Sequence, residues 1–426
     1  MFIDQNSIVP VFSRVGGKSW VEQLYGLVQD EKSPIELSTT SRVLKNRVLF
    51  PRAFVSAGMS PFEFAGTPPT DDVRILCRTN PKYCLVKSPC LMNLYAKMMY
   101  VHILANQLRG DKSRKKNARE ELLQAQNGEV FQASETHNPV SRPALRNHAY
   151  HSLLIAEKQA RVRGVFAPSI NAFDFDMDGQ KEYLCQLESL NAYVHARGGR
   201  IFELDVMNVY RNYCDSCQGD SGLFMDDLIS VDETEILASG TIPVSRRVFS
   251  DALYQEISVD PSRQEIQLKA TGLFGSLQQP VSLRKQYSFR NEEIQVQYIL
   301  KNESPLSLSG TFLVEMDFSL LGTHAKQPVM AVYAHDNRQD KIISEDHFSD
   351  VSWIRIDETE TGSRFTVDAN ENPSISIFPV SAEGQDGAKA NGVNGLRLFL
   401  YWKIDLSPNF ETEKMVFLKI NGASNA

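Results

Sequence analysis

The segment DFDMDG brings three carboxylates into five residues, at Asp174, Asp176 and Asp178. Carboxylate oxygens at alternating positions suit Ca²⁺, a hard cation that prefers oxygen ligands. The twelfth position counted from Asp174 is Cys185 and not glutamate, so the segment is not an EF-hand loop. The spacing leaves two interpretations: a weak Ca²⁺ site, or an exposed acidic hairpin that turns at Asp178-Gly179.

Two further carboxylates, Glu315 and Asp317, share one face of a single strand, because side chains at i and i+2 point to the same side. Adjacent carboxylates raise each other's pKa if they are buried, which makes this pair a candidate binding site. The alternative is that both simply form the polar face of a half-buried strand. Tyr401 is a candidate for stacking on a sugar ring, whereas Trp402 shares the apolar register of Leu398 and is expected in the core.

The cysteines provide no complete redox or metal motif. The chain contains Cys77, Cys84, Cys90, Cys185, Cys214 and Cys217. Cys214 and Cys217 form a lone CxxC, but a redox motif should open a helix after a strand, and a zinc site needs a second ligand pair. We therefore predict reduced structural thiols, which fits a cytoplasmic protein.

The chain length and the net charge limit the classes of protein to which this chain can belong. A chain of 426 residues is long for one core and predicts two or three domains. The net charge of −7 argues against nucleic-acid binding, which needs clustered positive charge. The N-terminal MFIDQNSIVPVF lacks the basic and apolar regions of a signal peptide. No apolar run approaches the roughly 18 residues of a membrane span, so we expect no membrane contact.

The N-terminal half shows helical spacing of apolar residues. Trp20–Gln29 reads as an amphipathic helix, and Leu91–Leu108 carries a core-facing stripe. A further helix is predicted near Ala118–Phe131, and another begins at Pro143, a residue suited to the first helical turn. The last three predict a small helical bundle.

From residue 171 onward the apolar residues alternate with polar ones, which is the period of a half-buried strand. The clearest segments are VSLRKQYSF (281–289), EIQVQYILK (293–301), TFLVEMDFSL (311–320) and LRLFLYWKIDL (396–406). Polar turns separate them, and Gly198-Gly199 offers a permissive turn. The pattern predicts an antiparallel β-sandwich after the helices, an α+β multidomain arrangement.

These segments also carry a resemblance to a known family. LNAYV and GGRIFELD, which follow the acidic turn, together with VSLRKQYSF and FLVEMDFSL, resemble the C-terminal β-sandwich of family 57 glycoside hydrolases, the α-amylase and 4-α-glucanotransferase group. NLYAKMMYVHILANQL, AREELLQAQ and LRNHAYHSLLIAEK resemble three helices of the family's middle domain. The resemblance implies the end of a β/α barrel in residues 1–55, a helical middle domain in 56–168 and a large galactose mutarotase-like sandwich in 172–426.

The family's catalytic pattern has no counterpart here. In the family, both catalytic carboxylates lie on the barrel, and the nucleophilic glutamate lies upstream of anything matched. Residues 1–19 contain one acidic residue, Asp4, outside the family's glycine-aspartate-aspartate turn. Gln132 and Ala133 stand where the family has the tryptophan and histidine that reach toward the active-site cleft. We therefore predict no catalytic residue in this chain.

Three functions remain open. The first is a carbohydrate-associated protein, non-catalytic alone, that binds α-glucan or maltooligosaccharide or supports a partner enzyme, with Glu315 and Asp317 contacting the sugar. The second is the C-terminal piece of a split family 57 α-amylase or 4-α-glucanotransferase, active with a separate catalytic barrel chain. The third is a structural protein without sugar binding.

Overall fold

The chain divides into two compact units, Met1–Gly58 and Met59–Ala426. The computed structural model describes residues 63–64, 89–127, 130, 132–133, 143–161, 166–215, 221–230, 247–320, 329–335, 338–342, 346–383 and 389–422. The predicted helix at Trp20–Gln29, the barrel remnant in 1–55 and Asp4 lie outside these residues, as does Cys217. The predicted three-domain division stays a prediction.

Within the described residues, three helices precede the two large sheets: α1 (Pro89–Gln107), α2 (Lys112–Ala125) and α3 (Pro143–Ala160). Their apolar stripes meet in one core, to which Leu94 and Val101 of α1, Leu122 of α2 and Leu153 of α3 belong. This confirms the predicted helical bundle.

The second helix begins earlier than the spacing suggested. Asp111 caps its N-terminus, since the Asp111 side chain accepts a hydrogen bond from the Arg114 backbone N–H at 2.9 Å. A cap of this kind satisfies one of the free N–H groups of the first turn. The basic stretch after Asp111 is therefore the first half of α2.

Two large antiparallel sheets follow, with strands numbered along the chain. A separate two-stranded sheet pairs β1 (Glu63–Phe64) with β2 (Gln132–Ala133). The ten-stranded sheet contains, in spatial order, β16 (Asp346–Phe348), β19 (Ser374–Glu383), β20 (Lys389–Leu406), β13 (Leu308–Ser319), β8 (Leu223–Ile229), β6 (Ile201–Val206), β5 (Leu190–His195), β4 (Glu182–Gln186) and β3 (Ser169–Phe173), and β7 (Arg211–Asn212) pairs with β6. The nine-stranded sheet contains β15 (Arg338–Ile342), β14 (Val329–His335), β17 (Trp353–Glu358), β18 (Arg364–Ala369), β21 (Glu411–Asn421), β12 (Glu293–Asn302), β11 (Gln279–Arg290), β10 (Glu265–Phe274) and β9 (Gln255–Asp260).

The main core lies between the two sheets. In β12, Ile294, Val296, Tyr298 and Leu300 are buried in it and alternate with partly exposed residues that are polar except for Ile299. Trp402 also packs in this core, which confirms its predicted register. Alternation of this kind buries one face of a strand, and each large apolar side chain contributes about 1.5–3 kcal/mol when fully buried. The predicted antiparallel sandwich is therefore confirmed.

The helices pack against the other side of the ten-stranded sheet, which we call its outer face. Ala96 of α1 joins an apolar cluster there with Leu184 of β4, Tyr193 of β5 and Phe202 of β6. Among the described residues, no helix is long and apolar enough to cross a membrane.

Candidate functional site

Glu315 and Asp317 lie on the outer face of β13, as predicted for side chains two residues apart. The intervening residue of the strand, Met316, points into the core between the sheets. Across the strand pair, Asp317 is opposite Arg397 of β20. The register therefore sets a cation directly beside both carboxylates.

Arg397 binds both carboxylates at once. Its Nε lies 2.9 Å from Glu315 Oε1 and 2.7 Å from Asp317 Oδ1, and Nη2 donates to Asp317 Oδ2 at 2.8 Å. The bond to Asp317 is thus bidentate, which is the stronger geometry for an arginine and a carboxylate. We call Glu315, Asp317 and Arg397 the carboxylate–arginine cluster. The side chain of Arg397 is 13% exposed, whereas the two carboxylate side chains are almost fully buried.

Two buried carboxylates share the guanidinium of Arg397. Burial and then the negative charge of Asp317 raise the pKa of Glu315 to about 8, against the opposing charges of Arg397 and Arg247. Near neutral pH the cluster therefore contains an ion pair between Asp317 and Arg397 beside a largely protonated Glu315, which can donate a hydrogen bond as well as accept one.

Aromatic and apolar side chains continue this face next to the cluster. Leu313 of β13, Phe378 of β19 and Phe399 of β20 are buried together, and the half-buried Tyr401 packs against them. The ring centroids of Phe378 and Phe399 are 5.8 Å apart in an edge contact. Of the two aromatic residues considered from the sequence, Tyr401 and not Trp402 is therefore the one that lies on the outer face.

The raised pKa of Glu315 predicts a pH-dependent contribution to stability. A carboxyl whose pKa rises from 4.5 to about 8 on folding stabilises the fold fully below pH 4.5 and loses that contribution as the pH rises toward 8. Glu315→Gln keeps the shape of the protonated acid but cannot ionise. We expect the free energy of unfolding of the unsubstituted protein, relative to this variant, to fall across that pH range in urea titrations. Parallel pH profiles for the two proteins would contradict the assignment.

The acidic turn forms a second cluster with residues that the spacing did not identify. Oxygen or nitrogen atoms of Asp176, Asp178, Glu182 and His195 all lie within 4.8 Å of one another. Asp174, the third predicted ligand, is not among them, and its Oδ2 accepts a hydrogen bond from the Gly179 N–H at 3.2 Å. The structure thus brings together two of the three predicted residues and adds two others.

Hairpin register brings the added residues into this cluster. Glu182 at the start of β4 pairs directly with His195 at the end of β5. Gly179, with φ +89°, supplies the predicted left-handed turn conformation just before β4. The turn between β4 and β5 sets the register that places Glu182 opposite His195. The periodicity of each strand alone does not contain this information.

The second cluster is electrostatically unfavourable for charged groups. Burial and then the neighbouring carboxylates raise the pKa of Glu182 to about 8 and that of Asp176 to about 6. Burial and then Arg200 lower the pKa of His195 to about 4, so its ring is neutral at pH 7. The carboxylates of this cluster are poorly solvated, and a bound cation would compensate their negative charge.

A third polar cluster joins the helices to the outer face. The ammonium group of Lys97 in α1 lies 2.7 Å from Asp205, 2.8 Å from Glu203 and 3.0 Å from Glu157, and all four side chains are fully buried. It also donates to Tyr193 Oη at 3.1 Å. Since these groups come from two helices and two strands, we interpret this cluster as the polar centre of the contact between helices and sheet.

Charge in the Lys97 cluster is balanced by protonation. Burial alone would raise the pKa of Glu157, but Lys97 and Arg161 hold it at about 2. Burial raises the pKa of Glu203 well above its usual range, so Glu203 is the protonated member of the cluster. Two cations then face the charges of Glu157 and Asp205.

The described part of the chain folds as a β-sandwich with helices packed on the outer face of its ten-stranded sheet. Residues 233–391 match the family model described as "Alpha-amylase/4-alpha-glucanotransferase, C-terminal". This range includes β9 to β19 and both carboxylates of the carboxylate–arginine cluster. Residues 233–391 are therefore similar to the C-terminal domain of the α-amylase/4-α-glucanotransferase family.

One solved structure supports the fold with a TM-score above 0.5. A 4-α-glucanotransferase from Thermococcus litoralis matches over 96% of this chain and 65% of its own length, with 16% identity and a TM-score of 0.67. This chain thus spans about two thirds of that enzyme's length. Galactose mutarotase-like proteins also match, from Lactobacillus casei over 56% of this chain and 99% of theirs (10% identity, TM-score 0.40) and from Clostridium acetobutylicum over 60% and 99% (9% identity, TM-score 0.43). No curated protein matches the chain.

Proposed function

We propose that the sandwich is a carbohydrate-associated module that binds α-glucan or maltooligosaccharide without cleaving it by itself. The observation that supports this proposal is the carboxylate–arginine cluster on the outer face of a domain of the α-amylase/4-α-glucanotransferase family. Paired hydroxyl groups of a sugar are suited to a carboxylate and a guanidinium, which offer fixed acceptors and donors side by side. Tyr401 supplies a partly exposed aromatic ring for the apolar face of the sugar.

The arrangement of the two carboxyls favours binding over hydrolysis. Glycosidases that retain configuration place two carboxyls about 5 Å apart on opposite sides of the scissile bond. Glu315 and Asp317 instead project from one strand and bind the same Arg397 nitrogen. A sugar that approaches this face meets both on one side, so neither is placed to attack while the other protonates the leaving group.

Maltoheptaose is expected to raise the melting temperature of the protein, because a ligand that binds only the folded state stabilises it. At about ten times a millimolar dissociation constant the stabilisation is only about 1.4 kcal/mol, so the shift will be small. Cellohexaose, with the other glucose linkage, is the control and should give no shift. Absence of a shift with maltoheptaose would favour a structural role without sugar binding.

A second candidate is that the chain acts together with a catalytic barrel of the family 57 type. The favouring observation is the length relation: nearly the whole chain aligns with only 65% of the Thermococcus litoralis structure. In this case the chain alone would release no new oligosaccharides from amylose, and adding a separately encoded barrel would restore product formation. Products from the purified chain alone would contradict both candidates.

A further inference from the structure

The acidic turn has the geometry of a cation site. Asp176 Oδ2, Asp178 Oδ2 and Glu182 Oε1 face His195 Nε2 at 3.7, 3.4 and 3.5 Å, and the four groups lie within 4.8 Å of one another. Ligands on opposite sides of a Ca²⁺ ion are about 5 Å apart, since each Ca–O bond is about 2.4 Å long. The oxygens therefore already have the spacing that one bound ion requires.

Glu182 gives independent evidence for a ligand. Its side chain is fully buried, and its Oε2 accepts a hydrogen bond from the Phe175 N–H at 2.5 Å. Within the described part of the chain, its Oε1 has no hydrogen-bond partner and is directed into the cluster. The 3.5 Å to His195 Nε2 exceeds the usual length of an N–H···O hydrogen bond, about 2.7–3.2 Å. A buried carboxylate oxygen without a partner is costly, so a further group is needed there.

The turn fixes one oxygen of each aspartate and leaves the other for the ion. Asp176 Oδ1 accepts from the Asp178 N–H at 3.1 Å, and Asp178 Oδ1 accepts from the Gln180 N–H at 2.7 Å. Both Oδ2 atoms are the ones that face His195. The backbone of the turn thus holds the two aspartates in place, and the one side chain of the cluster that their Oδ2 atoms face is His195.

The histidine is a neighbour of the ion site and not a ligand. His195 Nδ1 lies 2.9 Å from the Arg197 backbone N–H, which can only donate, so Nδ1 is the acceptor. A neutral imidazole then carries its proton on Nε2, the atom that faces the carboxylates. That atom can donate to a carboxylate that binds the ion but cannot coordinate the ion itself. The remaining donor set consists of oxygens, which suits Ca²⁺ better than Zn²⁺.

We propose that Asp176, Asp178 and Glu182 bind one Ca²⁺-like divalent cation through Oδ2, Oδ2 and Oε1, with His195 orienting the carboxylates. The ion would tie the turn before β4 to the start of β4, beside the end of β5. Water molecules complete its coordination, because three protein ligands are fewer than the six to eight that Ca²⁺ takes, and the dissociation constant is then on the order of 10⁻⁴–10⁻³ M. This proposal does not depend on sugar binding.

Calorimetric titration of the chelator-treated full chain with CaCl₂ tests the site. We expect one binding event, weakened by at least about tenfold in both Glu182→Gln and Asp178→Asn. Asp178 is partly exposed, so its variant keeps the test valid if substitution of the buried Glu182 disturbs folding. Asp260→Asn, in the exposed turn between β9 and β10, is the matched control and should bind Ca²⁺ as before.

Three results would overturn the proposal. One is the absence of any heat, or of any rise in melting temperature, at about 10 mM Ca²⁺, some tenfold above the expected dissociation constant. Another is unchanged affinity in Glu182→Gln and Asp178→Asn, both checked by circular dichroism for native structure. The third is tighter binding of Zn²⁺ that His195→Ala abolishes, since that would make the imidazole a ligand.

Discussion

Replacing Lys97 with methionine is expected to lower the free energy of unfolding by about 3–5 kcal/mol, because removing one partner of a buried ion pair leaves uncompensated charge. The ammonium group of Lys97 lies within 3.0 Å of Glu157, Glu203 and Asp205, and none of these side chains is exposed. Methionine has a similar length and retains the apolar contacts of the stem. The loss should therefore report the charge and its hydrogen bonds, and urea denaturation measures it.

A matched control is available in the adjacent helix. Lys116 also pairs with a glutamate, Glu120, at 3.6 Å, but its side chain is 74% exposed. Lys116→Met should change stability by no more than about 0.5 kcal/mol, because exposed pairs at i and i+4 contribute little. Similar losses in the two variants would mean that the Lys97 cluster is not the polar centre of the contact between helices and sheet.

Gly198→Ala is expected to cost about 2–4 kcal/mol, the second largest effect, through backbone strain and a steric clash. Gly198 has φ +73°, a conformation that side chains with a Cβ adopt at a cost of about 1–2 kcal/mol. An added Cβ would also overlap the backbone oxygen of Ser250, and backbone atoms cannot swing aside. The Gly198 N–H donates to Ala252 O at 2.7 Å, so the clash would disturb the contact between this turn and the 249–254 segment.

Gly275→Ala separates the cost of backbone strain from the cost of the steric clash. Gly275 has φ +67°, but a Cβ there would meet no atom within 4 Å. Its substitution should cost only about 1 kcal/mol, the conformational part alone. Thermal or urea unfolding of both variants makes the comparison. Equal losses in the free energy of unfolding would show that the clash between the added Cβ and Ser250 does not contribute.

Local periodicity was sufficient to predict the sandwich and its core. Alternation in β12 and the register of Trp402 depend only on neighbouring residues, and a half-buried strand imposes them directly. The start of α2 was missed because a cap at Asp111, and not apolar spacing, sets it. Alternation can be recognised from neighbouring residues of one element. A cap can be recognised only when the hydrogen bond made by the capping side chain is considered.

Contacts between distant segments could not be predicted in the same way. Lys97 lies in an apolar helical segment, NLYAKMMYVHILANQL, and its partner Asp205 is 108 residues away. Glu182 and His195 meet because of a hairpin register, and Arg397 reaches Glu315 and Asp317 across the pairing of β13 with β20. The sequence predicted which carboxylates could form a site. The pairing of strands decides which cation or other side chain lies beside each carboxylate, and that neighbour determines its chemistry.

Calorimetric titration with maltoheptaose tests the central claim, which is α-glucan binding at the carboxylate–arginine cluster. We predict binding by the unsubstituted chain, weakened at least about tenfold, or 1.4 kcal/mol, by Asp317→Asn and by Tyr401→Ala. Asp405→Asn removes an exposed carboxylate of the same strand β20 and should leave the affinity unchanged. No binding by the unsubstituted chain, or binding that all three variants retain equally, would contradict the account.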